Sequence, residues 1–190
     1  MIGLGYMSCL LNNMNNEYFK QVNIQFPKIS IEDIKGDLVV EHLDPLTNTG
    51  IRYWKLKDTE LNKHIIDMFT SIGLENPIIT YAEVDGNIWL HKDINGTVVV
   101  NHYIETPKAV TTFYIANNNY QGIKIGKDTI YDPMHCEKKD EFVAESNTSY
   151  ILDVSSIHGV SLLESGVRKF LSIGFLDWTY REIITENILT

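Results

Sequence analysis

From Pro77 onward the sequence predicts a mainly β fold, a double-sheet jelly roll with at least one helix packed ahead of it. Three observations carry this. Short β-rich runs recur at even spacing through the C-terminal half. Turn residues punctuate nearly every gap between them. One strongly periodic helical stretch precedes them.

Taken in order, residues 1–30 show little pattern. Asn12 to Asn16 is a polar cluster and Pro27 breaks whatever precedes it. Gly36-Asp37 leads into Leu38-Val39-Val40, a short strand. Asp44-Pro45 and Asn48-Thr49-Gly50 are turn signals. Asp58-Thr59 is a good N-cap, and Leu61, Ile65, Met68, Phe69 and Ile72 follow at helical spacing. Gly73 suits the position just past the helix end. The strands then read Ile78–Tyr81, Asn87–His91, Thr97–Glu105, Val110–Ala116, Ile123–Ile125, Tyr150–Val154, Val160–Leu163 and Arg168–Leu176. Asn95-Gly96 is a hairpin signal within this series. No repeat, low-complexity tract or linker interrupts the chain. The expected organisation is one domain over 1–190, with strands and helix in 1–76 packing on a jelly-roll core in 77–178.

Composition narrows the function. The 190 residues carry a formal net charge of −9, which disfavours nucleic acid and anionic membranes as partners. Only Arg52, Arg168 and Arg181 are arginines, so there is no arginine patch. Cys9 and Cys136 form neither a disulfide scaffold nor a CxxC zinc pattern, which points to a reducing cytoplasm. Met1 to Leu11 is apolar but too short for a membrane span, and it lacks the basic flank of a signal peptide.

The chemistry centres on Trp89-Leu90-His91-Lys92-Asp93. On a regular strand Trp89, His91 and Asp93 point the same way. A His and a carboxylate so placed are two ligands of a facial metal site, whose third ligand comes from elsewhere in the fold. Chance alone supplies roughly 0.4 such His-x-Asp pairs in a chain of this composition. His42-Leu43-Asp44 is a second copy, but it precedes a proline and lies outside the long β series. The third ligand should stand on a later strand, and Ile151 to Val160 offers His158 at a polar corner. Gly159 beside it allows close backbone approach. Arg168 follows ten residues later and shares a strand face with Phe170, Ser172 and Gly174. An arginine in an apolar barrel needs a carboxylate partner, from a ligand or from Glu164 if the side chain turns outward. His64, on the polar side of the helix, reads as solvated. His135 and Cys136 sit in a polar loop with no zinc spacing. Trp89, Tyr103 and Trp178 are candidate walls for a substrate.

The order His-x-Asp, distal His, then Arg ten residues on resembles the Fe(II)/2-oxoglutarate-dependent dioxygenases, whose fold is a cupin-like double-stranded β-helix. The aspartyl/asparaginyl β-hydroxylase branch is the most similar. His91 to Asp93 resembles its first metal motif, and Asn101-His102-Tyr103-Ile104-Glu105-Thr106-Pro107 its Arg-Leu-His-Ile-Pro-Leu strand. Tyr150 to Phe175 resembles the strand–His–strand–Arg end of the fold. The resemblance implies that His91, Asp93 and His158 hold Fe(II). Arg168 would pair with the distal carboxylate of 2-oxoglutarate, and His102 would bond its metal-bound end. Thr80, eleven residues before His91, matches a hydroxyl that assists that arginine. The sequence departs from the branch at Val100, where an Arg is common, and at Phe170, where plant relatives have Ser. Asp93 supplies an acid that animal members of the branch lack. The activity implied is hydroxylation of an amino-acid or peptide side chain with O2, releasing succinate and CO2. Two other readings stand beside it. One is a cupin-type metal enzyme that uses no 2-oxoglutarate, and the other is a non-catalytic jelly-roll binding protein.

Overall fold

The computed structural model describes residues 17–44, 46–93, 97–125 and 128–189. Cys9, the Asn12–Asn16 cluster, the apolar start and the Asn95-Gly96 turn lie outside them. The first part of the chain supplies β1 (Phe19–Val22), a single-turn helix α1 (Ile31–Ile34), β2 (Lys35–Leu43), β3 (Gly50–Leu56) and α2 (Glu60–Thr70). Then come β4 (Ile78–Val84), β5 (Ile88–His91), β6 (Val98–Glu105), β7 (Ala109–Ala116), β8 (Ile123–Ile125) and β9 (Asp128–Tyr131). The chain closes with β10 (Cys136–Val143), β11 (Thr148–Asp153), β12 (Ile157–Leu162), β13 (Arg168–Phe175) and α3 (Tyr180–Thr185). No described helix is long and apolar enough to cross a membrane.

The strands form two antiparallel sheets. The seven-stranded sheet runs β1-β11-β6-β13-β4-β3-β2, and the six-stranded sheet runs β10-β7-β12-β5-β9-β8. Their inner faces pack together through Ala82, Val84, Tyr103, Phe113, Phe142, Tyr150, Leu152 and Phe170. Aromatic pairs lock one side of this sandwich. Phe142 of β10 meets Phe19 of β1 at 4.6 Å and Tyr150 of β11 at 4.3 Å between ring centroids. The architecture is the expected mainly β jelly roll, a double-stranded β-helix with flanking helices.

A second core lies on the outer face of the larger sheet. There Val98, Val100, Leu171, Ile173 and Phe175 meet Ile65 and Phe69 of α2 and Ile183 of α3. The N-terminal segment around Ile24, Phe26 and Ile29 packs on the same face. So the larger sheet is apolar on both sides. Helix α2 forms where its periodicity places it. Thr59 accepts from the Asn62 N–H as N-cap, and Gly73 adopts φ +88 after the last turn, a conformation that favours glycine. His64 is exposed, as expected, and so is Ile72, at the edge of the stripe.

The sequence pattern did not disclose β1, β3, β9, β10 or α3. Strand β3 alternates weakly because its polar residues are used, Arg52 pairing with Asp85 at 2.6 Å. Strand β10 is an edge strand whose charged side chains face water, so it reads as a loop. Helix α3 is short and held by a capping box between Thr179 and Glu182.

Candidate metal centre

His91 and His158 stand on neighbouring antiparallel strands, directly opposite each other in the β5–β12 register. Their ring centroids lie 4.5 Å apart. Asp93 follows the end of β5. Its N–H donates to the Val154 carbonyl at 3.0 Å, which ties this segment to the corner between β11 and β12. The carboxylate Oδ1 approaches His91 Nε2 at 3.4 Å. One ligand atom from each of the three side chains falls within 4.8 Å of the others, the one His/Cys/Asp/Glu group of this kind among the described residues.

The two imidazoles are oriented alike. His91 Nδ1 lies 2.8 Å from the Trp89 carbonyl, and His158 Nδ1 lies 2.9 Å from the Ser156 carbonyl. Each nitrogen is therefore read as the N–H that donates to a carbonyl two residues back, leaving Nε2 as the lone-pair atom for a cation. The corner that presents Ser156 is itself braced by Asp153, whose carboxylate accepts from the Ser156 hydroxyl at 2.6 Å. Charge states suit a metal too. Burial, with His91 alongside, pushes the His158 imidazole down to about 4, so it is neutral at ordinary pH. Burial on its own would raise the Asp93 carboxyl. The His91 and His158 imidazoles beside it prevail, and hold it below the usual carboxylate value.

One local feature departs from a regular strand. Between His158–His91 and Val160–Ile88 the register shifts, so Trp89 and Leu90 together oppose Gly159. This is a β-bulge, and it breaks the alternation expected for Trp89, His91 and Asp93. Trp89 is 58% exposed, while Leu90 turns to a separate cluster with Tyr131 and Ile157. The bulge fits only because residue 159 has no side chain. A Cβ there would sit 2.8 Å from Leu90 Cδ2 and 2.9 Å from the Ile88 carbonyl oxygen. Gly159→Ala is thus expected to force β5 away from β12 and spread the imidazoles. Metal affinity, read by Mn(II) titration, should fall roughly tenfold or more. An unchanged affinity would mean that the bulge does not set the His91–His158 spacing.

Arg168 opens β13 and shares the inner face of the sheet with Phe170. It is only 1% exposed. Its Nη1 donates to the Thr111 hydroxyl at 3.0 Å, and its guanidinium lies 4.5 Å from the Tyr103 ring centroid. Its Nε and Nη2 are buried with no hydrogen-bond partner, and the same is true of Asn101 Oδ1. Thr111 was not singled out by the sequence. Its only signal is two-residue spacing from the core residue Phe113 on β7.

Two expected assignments are corrected by the strand register. His102 does not face the barrel. It shares the outer face of β6 with Val98 and Val100, stacks on Phe26 at 4.2 Å and pairs through Nδ1 with the Ser149 hydroxyl at 3.0 Å. It lines an outer groove of about 820 Å³ beneath residues Gln21 to Ile29, on the opposite side of the sheet from the triad. The inner face of β6 presents Val99, Asn101 and Tyr103 instead. Thr80 does face inward, opposite Ser172, but Arg168 pairs with Val84, four residues along β4. That is about 13 Å away, too far to assist the guanidinium. Thr111 makes that contact. His42 lies on β2 opposite Ile51, close enough for its charge to act on Asp93, yet outside the triad. Asp44 instead caps a turn, accepting from the Leu46 and Thr47 N–H groups at 2.8 and 3.0 Å. His135 packs on Tyr120 at 4.8 Å, and Trp178 packs against the outer core.

His102 also yields a stability prediction. Burial pushes its imidazole from 6.5 down to about 4. As pH falls through that window, the unfolded chain takes up a proton that the folded chain resists. Its contribution is complete above the ordinary value and drains away as pH drops toward the lowered one. His102→Gln should therefore flatten the fall in urea midpoint across that window. A parallel curve would show that the imidazole does not titrate differently on folding.

No protein-family model matches the chain, and no curated protein matches it. Solved structures do. The Escherichia coli protein ycfD is 12% identical with a TM-score of 0.52, the match covering 97% of this chain and 56% of that one. A 2OG-Fe(II) oxygenase-family oxidoreductase from Burkholderia pseudomallei is 10% identical with a TM-score of 0.44, covering 75% and 73%. Bacillus subtilis oxalate decarboxylase is 13% identical with a TM-score of 0.41, covering 75% of this chain and 28% of that one. What is shared is the fold. The chain spans about half the length of ycfD and under a third of the decarboxylase.

Proposed function

We propose that the protein is an Fe(II)- and 2-oxoglutarate-dependent oxygenase that hydroxylates an amino-acid or peptide side chain, with release of succinate and CO2. The observation that carries this reading is Arg168. A buried guanidinium with two unsatisfied donors stands on the inner wall of the barrel that also carries the triad. Leaving such a charge bare is unfavourable, and a ligand carboxylate removes the penalty. Its Nε–Nη2 edge is the pair that a carboxylate accepts from in bidentate fashion.

The residues present fit the metal. Two neutral imidazoles and an ionised carboxylate on one face leave positions open for other ligands, the donor set of non-haem Fe(II) oxygenases. When bound, the metal and 2-oxoglutarate supply the activation of O2. The protein's part is placement. The Trp89 and Ser156 carbonyls fix the imidazole tautomers. Thr111 and Tyr103 hold the guanidinium flat against the wall. Asn101 Oδ1, buried without a donor, would accept from a substrate N–H or O–H, and the apolar rows around Phe113 and Phe170 exclude water. We assign the whole of 1–190 to one such domain. The working partners are O2 and a small-molecule or peptide substrate. The net charge of −9 argues against nucleic acid, and the two cysteines favour a cytoplasmic setting.

The cupin-type alternative needs the triad but has no use for Arg168. Conversion of 2-oxoglutarate to succinate with Fe(II), first alone and then against amino-acid and peptide libraries, tests the difference. Succinate formation that depends on Fe(II) is expected. A protein that binds metal but not 2-oxoglutarate would belong to the alternative, and one that binds no metal would be a non-catalytic jelly roll.

A further inference from the structure

We propose that the free edge of β2 docks an extended polypeptide by main-chain pairing and turns one of its side chains toward the metal centre. This rests on the oxygenase reading above and adds the substrate class to it.

Strand β2 is the last strand of the seven-stranded sheet, and among the described residues it pairs only with β3. Its side chains are exposed one after another from Asp37 to His42. Three of them are apolar and consecutive, Leu38 at 49%, Val39 at 61% and Val40 at 39% exposure. Free edges are usually blunted by lysine, proline, a bulge or a covering element. Between Gly36 and Leu43 this strand has neither lysine nor proline; its register against β3 shifts on either side of Leu38, and from Val40 to Leu43 the pairing is regular. A strand added here would gain main-chain hydrogen bonds, and apolar contact on both faces.

The edge is also in the right place. Val40 lies opposite Tyr53 and His42 opposite Ile51, and both β3 residues pack into the inner core. Ile51 and Tyr53 share that core with Val154, whose carbonyl accepts from the Asp93 N–H at 3.0 Å, so this stretch of β2 lies on the triad's side of the sandwich. The Asp93 side chain keeps 39% of its surface open, so the centre is reached from solvent. Successive side chains on a strand alternate faces. A peptide running along β2 therefore aims every second side chain the way Val40 and His42 point.

Charge selects among occupants. Asp37 and Glu41 lie on the strand and Asp44 just beyond it, in a chain of net charge −9. Arg52 offsets part of Glu41 at 3.7 Å. The remaining acidity fits a peptide carrying Lys or Arg, and disfavours a second copy of this equally acidic chain. A free amino acid has no run of amides with which to use an edge.

The probe is a library of linear peptides about 12 residues long, enough to span a strand with flanks. It is selected on the full chain loaded with Mn(II) and 2-oxoglutarate. Enrichment of basic peptides is expected. The best binder is then N-methylated one amide at a time and tested on the unaltered protein. Loss of binding at alternate positions, with tolerance between them, is the signature of strand pairing. Val39→Lys should lower affinity roughly tenfold or more, and Val143→Lys, on the distant edge strand β10, should not. No enrichment, or N-methyl effects without the two-residue period, overturns the proposal. So does a dimer that Val39→Lys dissociates, because a second copy would then occupy the edge. Mn(II) and 2-oxoglutarate titrations run alongside. If both bind while peptide docking fails, only this proposal falls. If either fails to bind, it is the oxygenase reading that falls.

Discussion

His158→Ala should abolish metal binding. The imidazole faces His91 across a strand pair and supplies one of three ligand atoms, all within 4.8 Å of one another. Loss of one ligand from such a set removes roughly 3 kcal/mol, more than a hundredfold in affinity. The same experiment carries its own control. His42→Ala removes an imidazole that lies near Asp93 but outside the triad, so it should leave metal affinity within a few-fold of wild type. Thermal unfolding gives a second readout. A cation that binds only the folded protein raises Tm by an amount that grows with the logarithm of its affinity, so Mn(II) should stabilise wild type and His42→Ala but not His158→Ala. The opposite pattern, metal lost with His42→Ala and kept with His91→Ala, would mean that the earlier His-x-Asp copy is the working pair.

Arg168→Ala should weaken 2-oxoglutarate binding by about 2–3 kcal/mol, roughly 30- to 150-fold, and leave metal binding in place. The reason is the accounting of its donors. Thr111 satisfies one, Tyr103 covers the face, and Nε and Nη2 await an acceptor. A crossed outcome sharpens the test. Arg168→Met keeps most of the volume and removes a poorly compensated buried charge, so the ligand-free protein should be at least as stable as wild type. With saturating 2-oxoglutarate, wild type should gain Tm and Arg168→Met should not. Thr111→Val should lie between the two, about fivefold weaker than wild type, for loss of one bond to the guanidinium. Unchanged 2-oxoglutarate affinity in Arg168→Ala would move the protein to the cupin-type reading.

The residues of the candidate site were legible because their type and order single them out. His91, Asp93 and His158 are polar side chains at the ends of β runs, and Arg168 is one of three arginines in an acidic chain. The helix over Glu60–Thr70 was legible because cap, stripe and stop agree locally. Which way a strand faces was not. On β6, Val98, Val100 and Ile104 share a face with His102, and that apolar row reads as the barrel interior. Yet the larger sheet is covered on both sides, by the second sheet inside and by α2, α3 and the Phe26 segment outside. Alternation marks an apolar face but cannot say which of two apolar layers it meets, and one step in register exchanges His102 for Asn101 and Tyr103. The same limit explains Thr80 and Thr111. Both are inward hydroxyls, and only the crossing of the two sheets decides that Thr111 reaches Arg168. The bulge at Gly159 was likewise invisible, since it exists only when β5 meets β12. The sequence by itself determined which ligand and charge types are present and in what order. The packing of one sheet on another decided their directions and partners, because those depend on contacts between residues far apart in the chain.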